Sequence, residues 1–241
     1  MAHLRGHERR EYVARIFARI SRRYDLLNSI MSGGRHHAWR RAAVRMAMEG
    51  QAGPALDIAT GTGDFAVELA RRREVSRVVG LDITLPMLNL ARRKVVKKHV
   101  APKADFLRGD AHALPFADGG LACITVGFGV RNFPDLPTAL GEMARVLRPG
   151  GRLAILEIVH ANKEGFLAKL FRRAFRTVTP WLGALLARDR EAYTYLPESV
   201  REFLIYDELA SLMGQAGFQV VQRRSFAFGT VAILVGEKSS P

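Results

Sequence analysis

Leu56-Asp57-Ile58-Ala59-Thr60-Gly61-Thr62-Gly63-Asp64-Phe65 decides how the rest of the chain is read. Apolar residues lead into an acid and a glycine-rich turn, after which Phe65, Ala66, Leu69 and Ala70 recur at helical spacing. The pattern predicts a strand, a tight loop and an amphipathic helix. Glycines in such a loop let main-chain N–H groups approach a nucleoside-type ligand with no Cβ in the way. Gly61 to Ala66 also fits the dinucleotide pattern G-x-G-x-x-G/A, so the loop alone leaves two ligand classes open. Asp57 weighs between them. A carboxylate facing the loop repels a pyrophosphate and suits a ligand with a positively charged amino-acid end, as in S-adenosylmethionine. Capping the loop from within is the other role that fits this residue.

From about residue 52 to 160, short apolar runs alternate with helical periodicity, which predicts βαβ units on a parallel sheet. The expected strands are Ala55–Ala59, Arg77–Asp82, Ala104–Arg108, Leu121–Val126 and Arg152–Ile158, with helices near 64–73, 86–98 and 135–147. A helix near 206–216 and a hairpin of Phe218–Arg224 with Thr230–Val235 close the chain. The fold class is α/β: a mostly parallel, seven-stranded, Rossmann-like sheet with helices on both faces. One domain over 1–241 is expected, with an N-terminal helical lid (1–50), a ligand-binding core (51–160), a substrate-side cover (161–205) and a closing helix and hairpin (206–241).

Acidic residues recur where this frame predicts strand ends. Asp82 closes the second strand, where a carboxylate can accept both hydroxyls of a ribose. Asp110 closes the third, within Arg108-Gly109-Asp110-Ala111-His112, placed to meet an adenine amino group. Three acids at successive strand ends map to the edge where open α/β sheets bind ligands.

Lys and Arg number 37 against 23 Asp and Glu, a net charge of +14 that implies an anionic partner or surface, or simply an arginine-rich background. The segment 163–190 carries Phe166, Leu167, Leu170, Phe171 and Phe175 opposite Lys163, Lys169, Arg172, Arg173 and Arg176. Such a face can lie on an anionic membrane or simply cover the active site. No apolar run approaches the ~18 residues a membrane span needs. The polar N-terminus lacks a secretory core, so a cytoplasmic location is expected, with peripheral contact at the inner membrane face. The single Cys123 sits in an apolar run, and no clustered spacing suggests a metal.

These residues resemble the class I S-adenosylmethionine-dependent methyltransferases. A closer resemblance over nearly the whole chain is to the quinone-biosynthesis C-methyltransferases that act on demethylmenaquinone and its ubiquinone-pathway counterpart. It rests on Tyr24-Asp25-Leu26-Leu27-Asn28-Ser29-Ile30-Met31-Ser32 with His36 and Trp39, and on Phe128-Gly129-Val130-Arg131-Asn132-Phe133 with Glu142 and Arg145 to Gly151. Ala192 to Ser199 adds a third stretch. By position, the family's cofactor contacts fall on Thr62, Asp82, Asp110 and Ala111, and a further one, commonly serine, on Gly127, which offers only backbone. Asp57, Gly61 and Gly63 complete the expected cofactor set.

The resemblance implies methyl transfer from S-adenosylmethionine to a ring carbon of a polyprenylated hydroquinone, with no metal and no nucleic acid, and leaves room for a homodimer. Demethylmenaquinol is the expected acceptor, with a ubiquinone precursor as the alternative. Arg131 would stabilise phenolate charge, Asn132 orient the hydroxyl and Tyr24 reach the substrate, with Asp25 or His36 as proton acceptor. A structural salt bridge for Arg131, a core position for Tyr24, a cap for Asp25 and a packing role for His36 and Trp39 compete with those assignments. Two rivals remain. A nucleic-acid methyltransferase would call for an Asn/Asp-Pro-Pro-aromatic motif where Gly127 to Asn132 stand, and a nicotinamide oxidoreductase rests on the glycine loop alone.

Overall fold

The computed structural model describes residues 6–159, 195, 199–200 and 203–239. Its strands are β1 (Gly53–Ile58), β2 (Val75–Asp82), β3 (Ala104–Arg108), β4 (Leu121–Gly127), β5 (Leu147–Ile158), β6 (Phe218–Phe226) and β7 (Val231–Lys238). Its helices are α1 (Gly6–Ser32), α2 (Arg35–Met48), α3 (Asp64–Ala70), α4 (Leu85–Lys97), α5 (Leu136–Val146) and α6 (Tyr206–Gln215). The strands form one sheet in the order β3-β2-β1-β4-β5-β7-β6, parallel except for β7, which runs antiparallel to both neighbours. The expected Rossmann-like sheet is therefore present, with its order reversing between β1 and β4.

Period-two alternation explains why both faces are covered. Leu56, Ile58, Ile124, Leu153 and Ile155 point to one side, where Leu140 and Met143 of α5 and Leu209 and Met213 of α6 meet them. Ala55, Cys123, Ala154 and Leu156 point to the other, against Val44 and Ala47 of α2 and Phe65 and Leu69 of α3. Truncating a fully buried residue such as Leu140 to alanine would cost about 2–5 kcal/mol. In α5, Asp135 caps the first turn by accepting from the Thr138 N–H at 3.0 Å.

Two expectations change. Strand β5 begins at Leu147 rather than Arg152, because Leu147 already pairs with Leu121 and the Pro-Gly-Gly turn is absorbed as an irregularity before Arg152 meets Cys123. The N-terminal 50 residues are not all lid. Helix α2 buries His36, Trp39, Arg40, Ala43, Val44 and Ala47 and is part of the core layer. Only α1 lies outside it, with a small cluster of its own made by Val13, Ile16, Ile20 and Leu27. The amphipathic segment 163–190 lies outside the described residues, as does most of Ala192 to Ser199.

Candidate active site

The carboxyl ends of β1 to β4 converge under α1. After β1 the chain turns through Ala59, Gly61 and Gly63, all at positive φ (52°, 55° and 83°), before α3 starts at Asp64. Asp57 lies beneath this loop, almost wholly buried. It accepts from the Thr60 and Thr125 hydroxyls at 2.5 and 2.9 Å and from the Ala66 N–H at 3.2 Å. Burial, partly offset by those hydrogen bonds, pushes its carboxyl up to about 7. Asp57 thus caps the loop, and it also lines the recess below it.

Asp82 ties β2 to the same loop. Its Oδ2 accepts from the Gly61 N–H and its Oδ1 from the Thr84 N–H, both at 2.8 Å, and burial pushes its carboxyl up against those bonds. Asp110 accepts from His112 Nδ1 at 2.6 Å and from its N–H at 3.1 Å, while Arg10 of α1 grips its other oxygen. Partial burial raises the Asp110 carboxyl, but bonding to His112 and Arg10 outweighs it and holds the group below its ordinary range.

A cavity of about 90 Å³ opens here, bounded by Tyr24, Gly61, Asp82, Asp110, Ala111, Gly127 and Asn132 among the residues singled out from sequence. A second recess of about 20 Å³ lies beneath the loop, walled by Asp57, Thr62 and Arg40, and it shares Tyr24, Gly61 and Gly127 with the first. Space for a few waters is present, less than an adenosyl ligand fills, because α1 is held down across the site. Arg9 donates to the Arg131 carbonyl at 3.1 Å, and Asp25 accepts from the Thr62 hydroxyl at 2.5 Å and pairs with Lys94 at 2.7 Å.

Four expected site residues line neither space. Gly63 supports the loop by close packing, since a Cβ there would come within 3.0 Å of the Ala91 methyl. Asp25 is a latch between α1, the loop and α4, not a proton acceptor facing the cavity. His36 is buried, with Nδ1 accepting from Arg40 at 2.5 Å and Nε2 beside the Ser29 hydroxyl at 3.1 Å. Burial and the Arg40 charge lower its pKa to about 4, which makes it a poor base at neutral pH. Arg131 is also buried, paired with Glu157 on β5, whose carboxyl burial raises against the opposing pull of Arg131. Its Nε finds no hydrogen-bond partner among the described residues. Of the two places expected for Arg131, the structure shows the salt bridge and not the cavity wall. The guanidinium is enclosed behind the short turn Val130–Asn132, and Asn132 alone of that pair reaches the cavity.

Reading the sequence missed Glu157, Arg40, Arg10 and Thr125. Glu157 had a signal, as an acid inside the apolar run Leu153 to Ile158; Arg10 had none. At Gly127 the missing side chain has a local reason, since a Cβ would overlap the Phe65 ring.

The model of the ubiE/COQ5 methyltransferase family matches residues 5–238. This chain belongs to that family. A demethylmenaquinone methyltransferase of Thermus thermophilus is 45% identical over 223 residues, covering 92% of this chain and 100% of that one. A ubiquinone/menaquinone biosynthesis C-methyltransferase of Dinoroseobacter shibae is 38% identical, covering 92% and 89%. Among solved structures, the [4+2]-cyclase SpnF superposes with a TM-score of 0.68 at 17% identity over 95% of this chain and 96% of its own, a likeness of fold. The positions expected to hold the methyl donor, Gly63 excepted, line the cavity and recess just described, and the chain is a methyltransferase by membership.

Proposed function

We propose that this methyltransferase moves a methyl group from S-adenosylmethionine to a ring carbon of a polyprenylated hydroquinone, converting demethylmenaquinol to menaquinol. The observation that carries the substrate is the 45% identity to the Thermus enzyme over that protein's full length. The residues here suit an adenosyl donor. A left-handed Gly61 opens the loop to close approach, Asp82 and Asp110 bound the cavity at two strand ends, and cationic Arg40 walls the recess. Bound, the donor supplies an electrophilic methyl on a sulfonium, whose departure to carbon leaves a neutral thioether.

The protein must then ionise the ring, align it and exclude water, since phenolate charge spreads to the attacking carbon. Asn132 accepts from the Tyr195 hydroxyl at 2.9 Å through Oδ1, which leaves its amide nitrogen as the donor for a ring oxygen. Tyr24 touches both spaces and borders the path between them. Arg131, its charge balanced by Glu157, acts as a positioning residue that fixes the Val130–Asn132 turn. With Asp25 and His36 engaged elsewhere, the ring proton is released to bulk solvent before the carbon attacks.

The Dinoroseobacter relative favours a second acceptor, a ubiquinone precursor, by the same chemistry. The enzyme is further proposed to work from the cytoplasm, meeting anionic lipid through the basic segment 163–176. Among the described residues no helix is long and apolar enough to cross a membrane. Incubating the pure protein with labelled S-adenosylmethionine and each reduced precursor tests the reading. Label on demethylmenaquinol is expected; label on neither quinol defeats it.

A further inference from the structure

Arg40 is a cation with a nearly closed environment and, among the described residues, no carboxylate within close hydrogen-bonding distance. Its side chain is 6% exposed and lies 5.8 and 5.3 Å from the ring centroids of Phe65 and Phe128. His36 Nδ1 accepts its Nη1–H at 2.5 Å, and that imidazole is neutral at neutral pH, so it offers a lone pair and no compensating charge. The nearest acid, Asp64, stands 3.8 Å away and already takes Lys94 at 2.6 Å. A guanidinium kept for structure alone usually meets its carboxylate in a bidentate fork at about 2.7–2.9 Å. A metal reading of the same cluster does not fit. The donor atoms of His36, His37 and Asp64 lie within 4.8 Å of one another, but the Arg40 guanidinium already lies against His36 and near Asp64, a fixed positive charge that opposes a metal ion there.

Position gives this charge a use. Arg40 walls the recess beneath the glycine loop, opposite the cavity side where Asp82, Asp110 and Ala111 lie. The two spaces share Tyr24, Ala59, Gly61 and Gly127, so a ligand whose nucleoside end lies by Asp82 directs its other end past Tyr24 toward Arg40. In S-adenosylmethionine that end is an α-amino acid. Its ammonium and carboxylate match a recess walled by an acid, Asp57, and a cation, Arg40.

We propose that Arg40 is a cofactor-binding residue that holds the α-carboxylate of the methionine end of S-adenosylmethionine, completing the recess whose acidic wall is Asp57. The inference rests on the methyl-donor reading above. It adds a fixed anchor at the far end of the donor from the adenine, which sets how far the sulfonium reaches toward the acceptor.

Calorimetric titration with three ligands separates this role from a merely structural one. S-adenosylhomocysteine carries the whole amino-acid end, decarboxylated S-adenosylhomocysteine lacks only the carboxylate, and 5′-methylthioadenosine lacks the end entirely. The wild-type protein is expected to bind S-adenosylhomocysteine at least ~10-fold more tightly than the decarboxylated compound, as a charge-assisted pair would give. Arg40→Gln should weaken S-adenosylhomocysteine by roughly 10–100-fold while changing the other two by less than about 2-fold. Arg40→Lys, which keeps the charge, should recover most of the loss and covers the case in which Arg40→Gln does not fold. Equal weakening of all three ligands by either folded variant, no weakening of S-adenosylhomocysteine by Arg40→Gln, or a wild type indifferent to the carboxylate would each overturn the proposal. A wild type that binds none of the three overturns the methyl-donor reading as well.

Discussion

Two neighbouring stretches of the sheet edge hold their charges in opposite ways. On the β1–β3 side, Asp57, Asp82 and Asp110 take their hydrogen bonds largely from nearby turns: Thr60, Ala66, Gly61, Thr84 and His112. These carboxylates are held by hydroxyls, an imidazole and backbone N–H groups, with only Asp110 meeting a guanidinium. On the β4–β5 side, Arg131 and Glu157 face each other from separate strand ends, both buried, each the other's counter-charge. A charge held by dipoles tolerates the loss of one donor. A buried ion pair does not tolerate the loss of one partner, because the survivor is left uncompensated in a poorly polarisable interior.

The largest expected effect breaks that second arrangement. Glu157→Ala should cost about 3–5 kcal/mol in chemical denaturation, whereas replacing both members with apolar residues, Arg131→Met with Glu157→Leu, should recover most of the stability and none of the turnover. A Glu157→Ala protein as stable as the wild type would show that the pair carries little of the fold.

Next in size is a test of the polar side through pH. His36 protonates in the unfolded chain below its ordinary 6.5 but in the folded protein only near 4, so it removes stability as pH falls between those values, on the order of 2–3 kcal/mol. Asp57 works the other way. With its carboxyl pushed up to about 7, the folded state takes up a proton first, and stability rises as pH falls from 7 toward 3.8. In the wild type the two slopes oppose. His36→Gln should uncover the Asp57 slope, giving a protein more stable at pH 5 than at pH 7.5 in urea titrations; an unchanged profile would refute the His36 contribution.

A smaller effect probes where the two regions touch. Gly127→Ser drives a side chain into the Phe65 ring and should cost about 1–3 kcal/mol, which Phe65→Leu in the same chain should largely restore, both read from melting curves. Smallest of all, removing the exposed Arg77–Asp105 pair by Arg77→Ala should leave the melting curve essentially unchanged, despite its 2.7 Å contact.

The same contrast explains what could be read from the chain in advance. The glycine loop, the strand-end acids and the succession of strands and helices along the chain were legible because each depends on residues close in sequence and on a two- or 3.6-residue period. Arg131 was recognised as important but assigned to the wrong surroundings, since Glu157, on the next strand, encloses it. Asp25 and His36 take the structural roles already weighed for them: Lys94 on α4 reaches Asp25 through tertiary packing, whereas Arg40 meets His36 one turn along the same helix. Helix α2 was folded into the lid because His36, Arg40 and the arginines around them hide an apolar face made mainly of alanine.

The grip of Arg10 on Asp110 has a consequence for timing. A guest bound for that corner must first prise the helix off the acid it means to use, and the work of doing so is subtracted from its apparent affinity.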